Sequence, residues 1–197
     1  MLVRNSVSIE TALWDAIEAI VSAMNARSNT HNHSVRVACY AVEIAKAASW
    51  PDWALAYIRL GALLHDIGQI YWPEELLQKS RTSLTNEERR IIESHTYKGG
   101  ELVAQWSSLE CVKPFILYHQ EWIDGSGYPY GLHGDALPEE VQIVSLADVY
   151  EALRHPRSYK QRSGFSSQET IELMRTMRGK RWGVDLFDIF ADIAAAW

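Results

Sequence analysis

The chain has 197 residues and 47 % hydrophobic residues, which fits one domain whose core needs no disulfide or metal staple. Its net charge of −6 excludes a global basic field for a nucleic acid polymer, so local cations must hold any anionic ligand. It has no run of 18 apolar residues, so we expect no membrane-spanning helix.

Helical spacing of apolar residues runs through the chain. It predicts a first helix over residues 9–24, capped by Ser8, and a second from Ser34 to about Ser49. A third opens at Asp52, and Thr85 begins a capping box that opens a long helix bent at Gly99-Gly100. Further helices are predicted over residues 112–118, 139–153, 166–177 and 186–196, and residues 124–138 form a loop. The predicted class is all-α, as a single helical bundle.

Two cysteines are far apart in the sequence. Cys39 and Cys111 both have apolar neighbours, so we interpret them as reduced core residues. Reduced cysteines favour a cytoplasmic location.

Histidines and aspartates mark the ends of the apolar helices. A single one is more often a hydrogen-bonded core residue than a ligand, but here several are placed to converge. Mixed imidazole and carboxylate ligands suit iron, manganese, nickel or zinc rather than calcium. A carboxylate such as Asp66 can bridge two metals about 3.5–4 Å apart, as in sites that displace phosphoryl oxygens. The candidate ligands are His33, His65, Asp66, His95, His119 and Asp148.

Several short motifs add a family resemblance. The most specific is Asp124-Gly125-Ser126-Gly127-Tyr128-Pro129, which follows shortly after Tyr118-His119. The others are His33-Ser34-Val35-Arg36, Leu63-Leu64-His65-Asp66-Ile67-Gly68, Glu87-Glu88 leading to His95, Ala147-Asp148-Val149, and Arg157-Ser158-Tyr159-Lys160. Over roughly residues 24–190 the chain resembles the HD-GYP family, a branch of the HD-domain phosphohydrolases.

The resemblance implies an HD-GYP helical bundle over residues 27–197, with residues 1–26 as an N-terminal helix packed on it or leading into it. It implies hydrolysis of cyclic di-GMP, a bacterial second messenger, to pGpG or GMP. It also implies two divalent metal ions, with iron expected first and manganese, nickel, zinc or magnesium as alternatives.

The resemblance also assigns roles to residues. One metal would be held by His33, His65, Asp66 and Asp148, and a second by the bridging Asp66 with His95, His119 and, weakly, Gln120. The implied catalytic residues are His65, Asp66 and Gln69. The implied substrate-binding residues are Arg36, Tyr128, Arg157 and Lys160. The implied partners are diguanylate cyclases or other signalling proteins at the Gly-Tyr-Pro loop, and a second copy in a homodimer.

Departures from the family pattern leave an alternative function open. Gln120 stands where the family has a second histidine, and Gln69 where it has a lysine. Asn29 replaces a glutamate of three-metal members, so a third metal is not expected. These changes favour the alternative of a weak or inactive domain that binds cyclic di-GMP or a protein partner. A stand-alone regulator and a fragment of a longer protein both fit the sequence.

Overall fold

The structure is a computed structural model that describes residues 8–28, 30–77, 79–155 and 164–197. Within these ranges it has ten α-helices and no strand, which confirms the all-α class. The helices are α1 Ile9–Arg27, α2 His33–Ala47, α3 Asp52–Leu64, α4 Glu74–Leu77, α5 Asn86–Glu93, α6 His95–Val103, α7 Lys113–Tyr118, α8 Glu139–Arg154, α9 Ser167–Arg175 and α10 Val184–Ala194. Short 3-10 turns cover Ile67–Tyr71, Arg81–Ser83, Ser107–Val112 and Gly134–Ala136.

Helix α2 lies at the centre of the bundle, between α3 and α8. Its inner face consists of small and branched residues such as Val37, Ala41 and Ile44, which are fully buried. Helix α8 is buried on more than one face, because α2, α7, α9 and α10 all pack around it. A helix enclosed in this way needs apolar residues at nearly every position. This explains the mostly apolar stretch that precedes Asp148, in which Ile143, Val144, Leu146 and Ala147 are fully buried.

Helix α1 is tied to the turn that follows α3. Ser8 caps α1, as predicted, by accepting a hydrogen bond from the backbone N–H of Thr11 at 3.1 Å. At the other end, the guanidinium of Arg27 donates to three backbone carbonyls of the turn. These belong to Gln69 at 3.4 Å, Ile70 at 3.3 Å and Trp72 at 3.0 Å. The turn contributes to the site described below, so α1 supports the site as well as the core. The domain boundary at residue 26 stays a prediction.

The predicted long helix with a bend at Gly99-Gly100 is two helices instead. The helix is interrupted at Ser94, between α5 and α6, and both glycines lie inside α6. They allow close packing rather than a bend. A Cβ on Gly99 would lie 2.7 Å from Ile116, and one on Gly100 would lie 2.5 Å from Leu117. The two glycines therefore let α6 approach α7.

The capping box at the start of α5 provides a small, local stability prediction. Thr85 Oγ1 accepts from the N–H of Glu88 at 3.2 Å, and the Glu88 carboxylate accepts from the N–H of Thr85 at 2.9 Å. We expect Thr85→Ala to lower the free energy of unfolding by about 1 kcal/mol, because it leaves one helix N–H without its partner. Urea unfolding of both proteins measures the difference. Thr82→Ala, in the preceding turn, is the matched control and should change stability by less than about 0.5 kcal/mol.

The two cysteines are not in the core, contrary to the prediction from the sequence. Cys39 and Cys111 are free, but both are exposed, so the interpretation as core residues is wrong. Helix α2 turns Cys39 outward while its neighbours Val37 and Ala38 face the core. Apolar neighbours in sequence do not share a helix face at this spacing.

Among the helices of the described ranges, none combines the length and the apolar character needed to cross a membrane.

Candidate metal centre

Three histidines follow the ends of three helices and use the same contact. In each, ring Nδ1 lies close to the backbone carbonyl three residues earlier, near the end of the preceding helix. The distances are 2.7 Å from His65 to Ala62 O, 2.7 Å from His95 to Ile92 O, and 3.1 Å from His119 to Ile116 O. A carbonyl only accepts, so Nδ1 carries the proton in these contacts. The Nε2 atoms of all three rings face one cluster.

A fourth histidine, His33, begins α2 and is held by a carboxylate. Its Nδ1 is hydrogen-bonded to Glu151, and Glu151 also accepts from Nε of Arg36 at 2.7 Å. A carboxylate behind a histidine orients the ring toward a metal. Glu151 was not predicted as a site residue. It lies three residues after Asp148 on α8, a spacing that places both on one helix face, and that spacing was the available signal.

Two aspartates lie among the four Nε2 atoms. Asp66 Oδ2 is 3.8 Å from His33 and 3.4 Å from His65, while Asp66 Oδ1 is 3.2 Å from His95 and 3.7 Å from His119. Asp148 Oδ1 is 3.3 Å from His33 and 3.9 Å from His65. The structure therefore brings all six predicted ligands together. Two groups of three donors share Asp66, one with His33 and His65 and one with His95 and His119.

The charged groups of the cluster shift one another's pKa values. Burial would raise the pKa of Asp66, but the nearby His65, with the close contacts to His119 and His95, holds it well below its usual range. Burial opposes protonation of His33, yet hydrogen bonds to Asp148 and Glu151 raise its pKa to about 10. Burial lowers the pKa of His119 to about 4, which leaves that ring neutral. The Asp66 and Asp148 carboxylates thus stay ionised and attract positive charge, and the neutral ring of His119 keeps a nitrogen available for a cation.

The donor set fits divalent metal ions. His65 Nε2 is buried and has no hydrogen-bond partner among the described residues. His95 Nε2 and His119 Nε2 lie 3.2 Å apart, an arrangement in which two nitrogens can share one ion. Imidazole with carboxylate is the ligand set of zinc, iron and manganese sites. The cluster is therefore a candidate centre for two divalent ions bridged by Asp66.

Of the other predicted site residues, Gln120, Arg36 and Gln69 lie near this cluster. Gln120 donates from Nε2 to Asp148 Oδ2 at 3.4 Å and accepts at Oε1 from Arg181 at 3.4 Å, so its weak ligand role stays a prediction. Arg36 contacts Glu151 behind His33. Gln69 is buried in the turn after Asp66. The substrate role of Arg36 and the catalytic role of Gln69 stay predictions. Arg157, Lys160 and Asn29 lie outside the described residues.

The loop with the Gly-Tyr-Pro sequence lies beside the cluster. The ring of Tyr128 is 6.4 Å from the ring of His95, and the N–H of Tyr128 donates to Gln120 O at 3.2 Å. The loop approaches the chain closely at Gly127, where a Cβ would lie 2.4 Å from the Cα of Glu121. Glu121 is fully buried, and its two oxygens accept from Tyr130 N at 2.6 Å and Leu132 N at 3.0 Å.

The Glu121 contacts lead to a prediction about the loop. Glu121→Gln exchanges one carboxylate oxygen for an NH₂ group, which then faces a backbone N–H, so two donors meet. We expect the free energy of unfolding to fall by about 2 kcal/mol, because a buried donor loses its acceptor. Chemical denaturation measures the loss. Glu101→Gln, at an exposed position of α6, should have no comparable effect. Equal stabilities of the two variants would contradict the proposed role of Glu121 in holding the loop.

A cavity of about 220 Å³ opens beside the cluster. Its lining includes Gln120 and Tyr128, which also contact or adjoin the metal ligands, together with Arg89, Arg181 and Trp122. The centre of the Arg181 guanidinium is 5.3 Å from the Trp122 ring. Guanidinium groups bind phosphate and aromatic rings stack on bases, so the lining suits a nucleotide. Arg181 is a residue that the sequence analysis missed, and its position shows no local pattern.

Comparison with known proteins agrees with this geometry. A family model described as HD domain matches residues 15–186. A cyclic di-GMP phosphodiesterase of Pseudomonas aeruginosa is 30 % identical over 166 residues, which are 84 % of this chain and 39 % of the relative. A 3′3′-cGAMP-specific phosphodiesterase of Vibrio cholerae is 29 % identical over 189 residues, which are 94 % of this chain and 36 % of the relative. The chain thus spans less than half the length of these relatives.

A solved structure shows the same fold. The HD-GYP-type protein Bd1817 of Bdellovibrio bacteriovorus superposes with a TM-score of 0.67 at 23 % identity, covering 95 % of this chain and 65 % of the other. The matched family model covers most of the chain, including all six predicted ligands and the Gly-Tyr-Pro loop. The chain therefore belongs to the HD domain family, in its HD-GYP branch.

Proposed function

We propose that the chain is a metal-dependent phosphodiesterase that hydrolyses cyclic di-GMP. The observation that carries this proposal is Asp66, which lies between two groups of metal donors, beside a cavity whose lining includes two arginines and two aromatic residues. Hydrolysis adds water across a phosphodiester. The water oxygen bonds to phosphorus, the bond from phosphorus to the ribose 3′ oxygen breaks, and that oxygen takes a proton. The first product is pGpG, and a second hydrolysis gives GMP.

The residues of the chain have separate roles in this reaction. Asp66, with the four histidines and Asp148, would hold two divalent ions, which supply Lewis-acid stabilisation of the charge on the phosphate oxygens. The guanidinium groups of Arg89 and Arg181 supply local positive charge in a protein of net charge −6. The rings of Trp122 and Tyr128 offer surfaces for a base. The buried cluster keeps the ligands fixed before substrate arrives, so little reorganisation is needed during the reaction.

Iron is the metal we propose first, with manganese, nickel, zinc and magnesium as alternatives. The four imidazoles favour a transition metal over magnesium, which prefers oxygen ligands. Metal analysis of protein purified with and without oxygen distinguishes these ions, because ferrous iron is lost or oxidised in air.

A second candidate function is binding of cyclic di-GMP or a protein partner without efficient turnover. The observation that favours it is Gln120, which stands where the family pattern has a histidine. Its side-chain amide is hydrogen-bonded to Asp148 and Arg181. Gln69, in place of a lysine, removes a positive charge near the cluster. The resemblance also suggests a partner surface at the Gly-Tyr-Pro loop, a homodimer and a cytoplasmic location, and these stay predictions.

One experiment tests the two candidates together. Metal-loaded protein is incubated with cyclic di-GMP or 3′3′-cGAMP, products are separated by chromatography, and binding is measured by calorimetry. The enzyme proposal expects turnover of cyclic di-GMP that is lost with a chelator and returns with added metal. Binding at micromolar concentrations without turnover in fully loaded protein would favour the binding domain. Neither binding nor turnover of either nucleotide would contradict both the enzyme and the nucleotide-binding domain.

A further inference from the structure

The side-chain amide of Gln120 lies between two groups of opposite charge. Its Nε2 is 3.4 Å from Asp148 Oδ2, and its Oε1 is 3.4 Å from an Nη2 nitrogen of Arg181. An amide nitrogen and a guanidinium only donate hydrogen bonds, whereas an amide oxygen and a carboxylate only accept them. Turning the amide over would place donor against donor and acceptor against acceptor. Both contacts are long, but both partners carry full charges, so this orientation is strongly preferred.

Arg181 is itself held in place. The residue is buried, and its Nε donates to Ser145 Oγ at 3.2 Å. The centre of its guanidinium lies 5.3 Å from the ring of Trp122 and 5.3 Å from the ring of Trp182. A guanidinium keeps its charge at any accessible pH and stacks on aromatic faces. The cation beside Gln120 is therefore permanent, and its position is set by packing on several sides.

We propose that Arg181 is a positioning residue that holds Gln120 as a hydrogen-bond donor to Asp148 and thereby keeps position 120 from ligating a metal. The inference rests on the proposed metal centre. The protein ligands of the second metal are then Asp66, His95 and His119 without help from Gln120. Asp148 meets the amide through Oδ2, while its Oδ1 faces His33. Position 120 thus does not ligate the metal. It joins Asp148 by hydrogen bonds to Arg181, which lines the cavity.

The test uses a residue that is a good ligand. In Gln120→His, one ring nitrogen is expected to accept from Arg181 and the other to donate to Asp148, so neither is left for a metal. We expect Mn²⁺ affinity at the weaker position to stay within about twofold of the unchanged protein. The Gln120→His/Arg181→Met double variant should gain at least about tenfold, because its imidazole is released. Calorimetric titration of metal-free protein with Mn²⁺ measures both. Gln120→His/Arg181→Lys is the matched control, which keeps a cation and should show no gain.

Each outcome decides the proposal. A gain in Gln120→His alone that equals the gain of the double variant would overturn it, as would a folded double variant with no gain. If the double variant lacks a native circular dichroism spectrum, Gln120→Leu decides, since it removes the amide and leaves Arg181 in place. We expect Gln120→Leu to keep Mn²⁺ affinity, and a tenfold loss would show that Gln120 is a ligand after all. A folded, unaltered protein that binds no Mn²⁺ would instead overturn the metal centre itself.

Discussion

Asp66→Asn should lose both metal ions and reduce cyclic di-GMP hydrolysis by about 1000-fold, which corresponds to about 4 kcal/mol of transition-state stabilisation. Asp66 uses both oxygens, with Oδ1 toward His95 and His119 and Oδ2 toward His33 and His65. Asparagine keeps the volume but has one oxygen and no charge, so it cannot bridge two cations. Without that negative charge, repulsion between the two ions is no longer offset. Metal content by mass spectrometry and the turnover rate measure the two losses separately.

The control is Asp192→Asn, which removes the same charge at an exposed position of α10. It should keep both metals and the full rate. A folded Asp66→Asn protein that still binds two equivalents of metal would show that Asp66 does not bridge. Retained metal with a lost rate would place Asp66 in a different role, beside the reacting phosphate. Circular dichroism separates both results from unfolding.

The metal cluster could be predicted because its residues are costly to bury without a partner. Asp66 follows an apolar run and Asp148 interrupts one, so both are expected in buried surroundings. A buried carboxylate needs a cation or hydrogen-bond donors. The structure places His65 Nε2 3.9 Å from Asp148 Oδ1, although His65 follows α3 and Asp148 lies in α8. Such convergence follows from a single core, since every helix turns its apolar face toward the same centre.

Other parts of the site could not be predicted in this way. Arg181 meets Gln120 across 61 residues of sequence, and nothing in its own neighbourhood indicates a role in the site. Its position depends on how the turn between α9 and α10 packs, which no local pattern encodes. The hydrogen bonds of the three histidines to helix-end carbonyls require the helix ends to within one residue, and sequence patterns do not define ends that closely. The glycine pair in α6 was misinterpreted for a related reason, because packing against α7 explains it better than a bend does.

Gly68→Ala should destabilise the protein by about 3 kcal/mol and should weaken metal binding at the same time, because one backbone contact serves both. Gly68 follows the His65-Asp66 pair in a 3-10 turn that packs directly on α6. A Cβ at this position would lie 1.9 Å from the carbonyl oxygen of His95 and 2.8 Å from the backbone nitrogen of Gly99. These are backbone atoms, which cannot move aside as a flexible side chain would.

Relief of that clash requires the turn and α6 to separate. Asp66 and His95 lie on opposite sides of the contact, only 3.2 Å apart between Oδ1 and Nε2, so separation pulls the bridging carboxylate away from the second metal position. Gly183→Ala is the matched control, since its φ of −55° suits alanine and its Cβ would come no closer than 3.6 Å to a neighbour. We expect native stability and metal content for Gly183→Ala, and losses in both for Gly68→Ala. A Gly68→Ala protein with lowered stability but unchanged Mn²⁺ affinity would show that the turn can shift without moving Asp66, and that the metal centre is held chiefly by α2, α7 and α8.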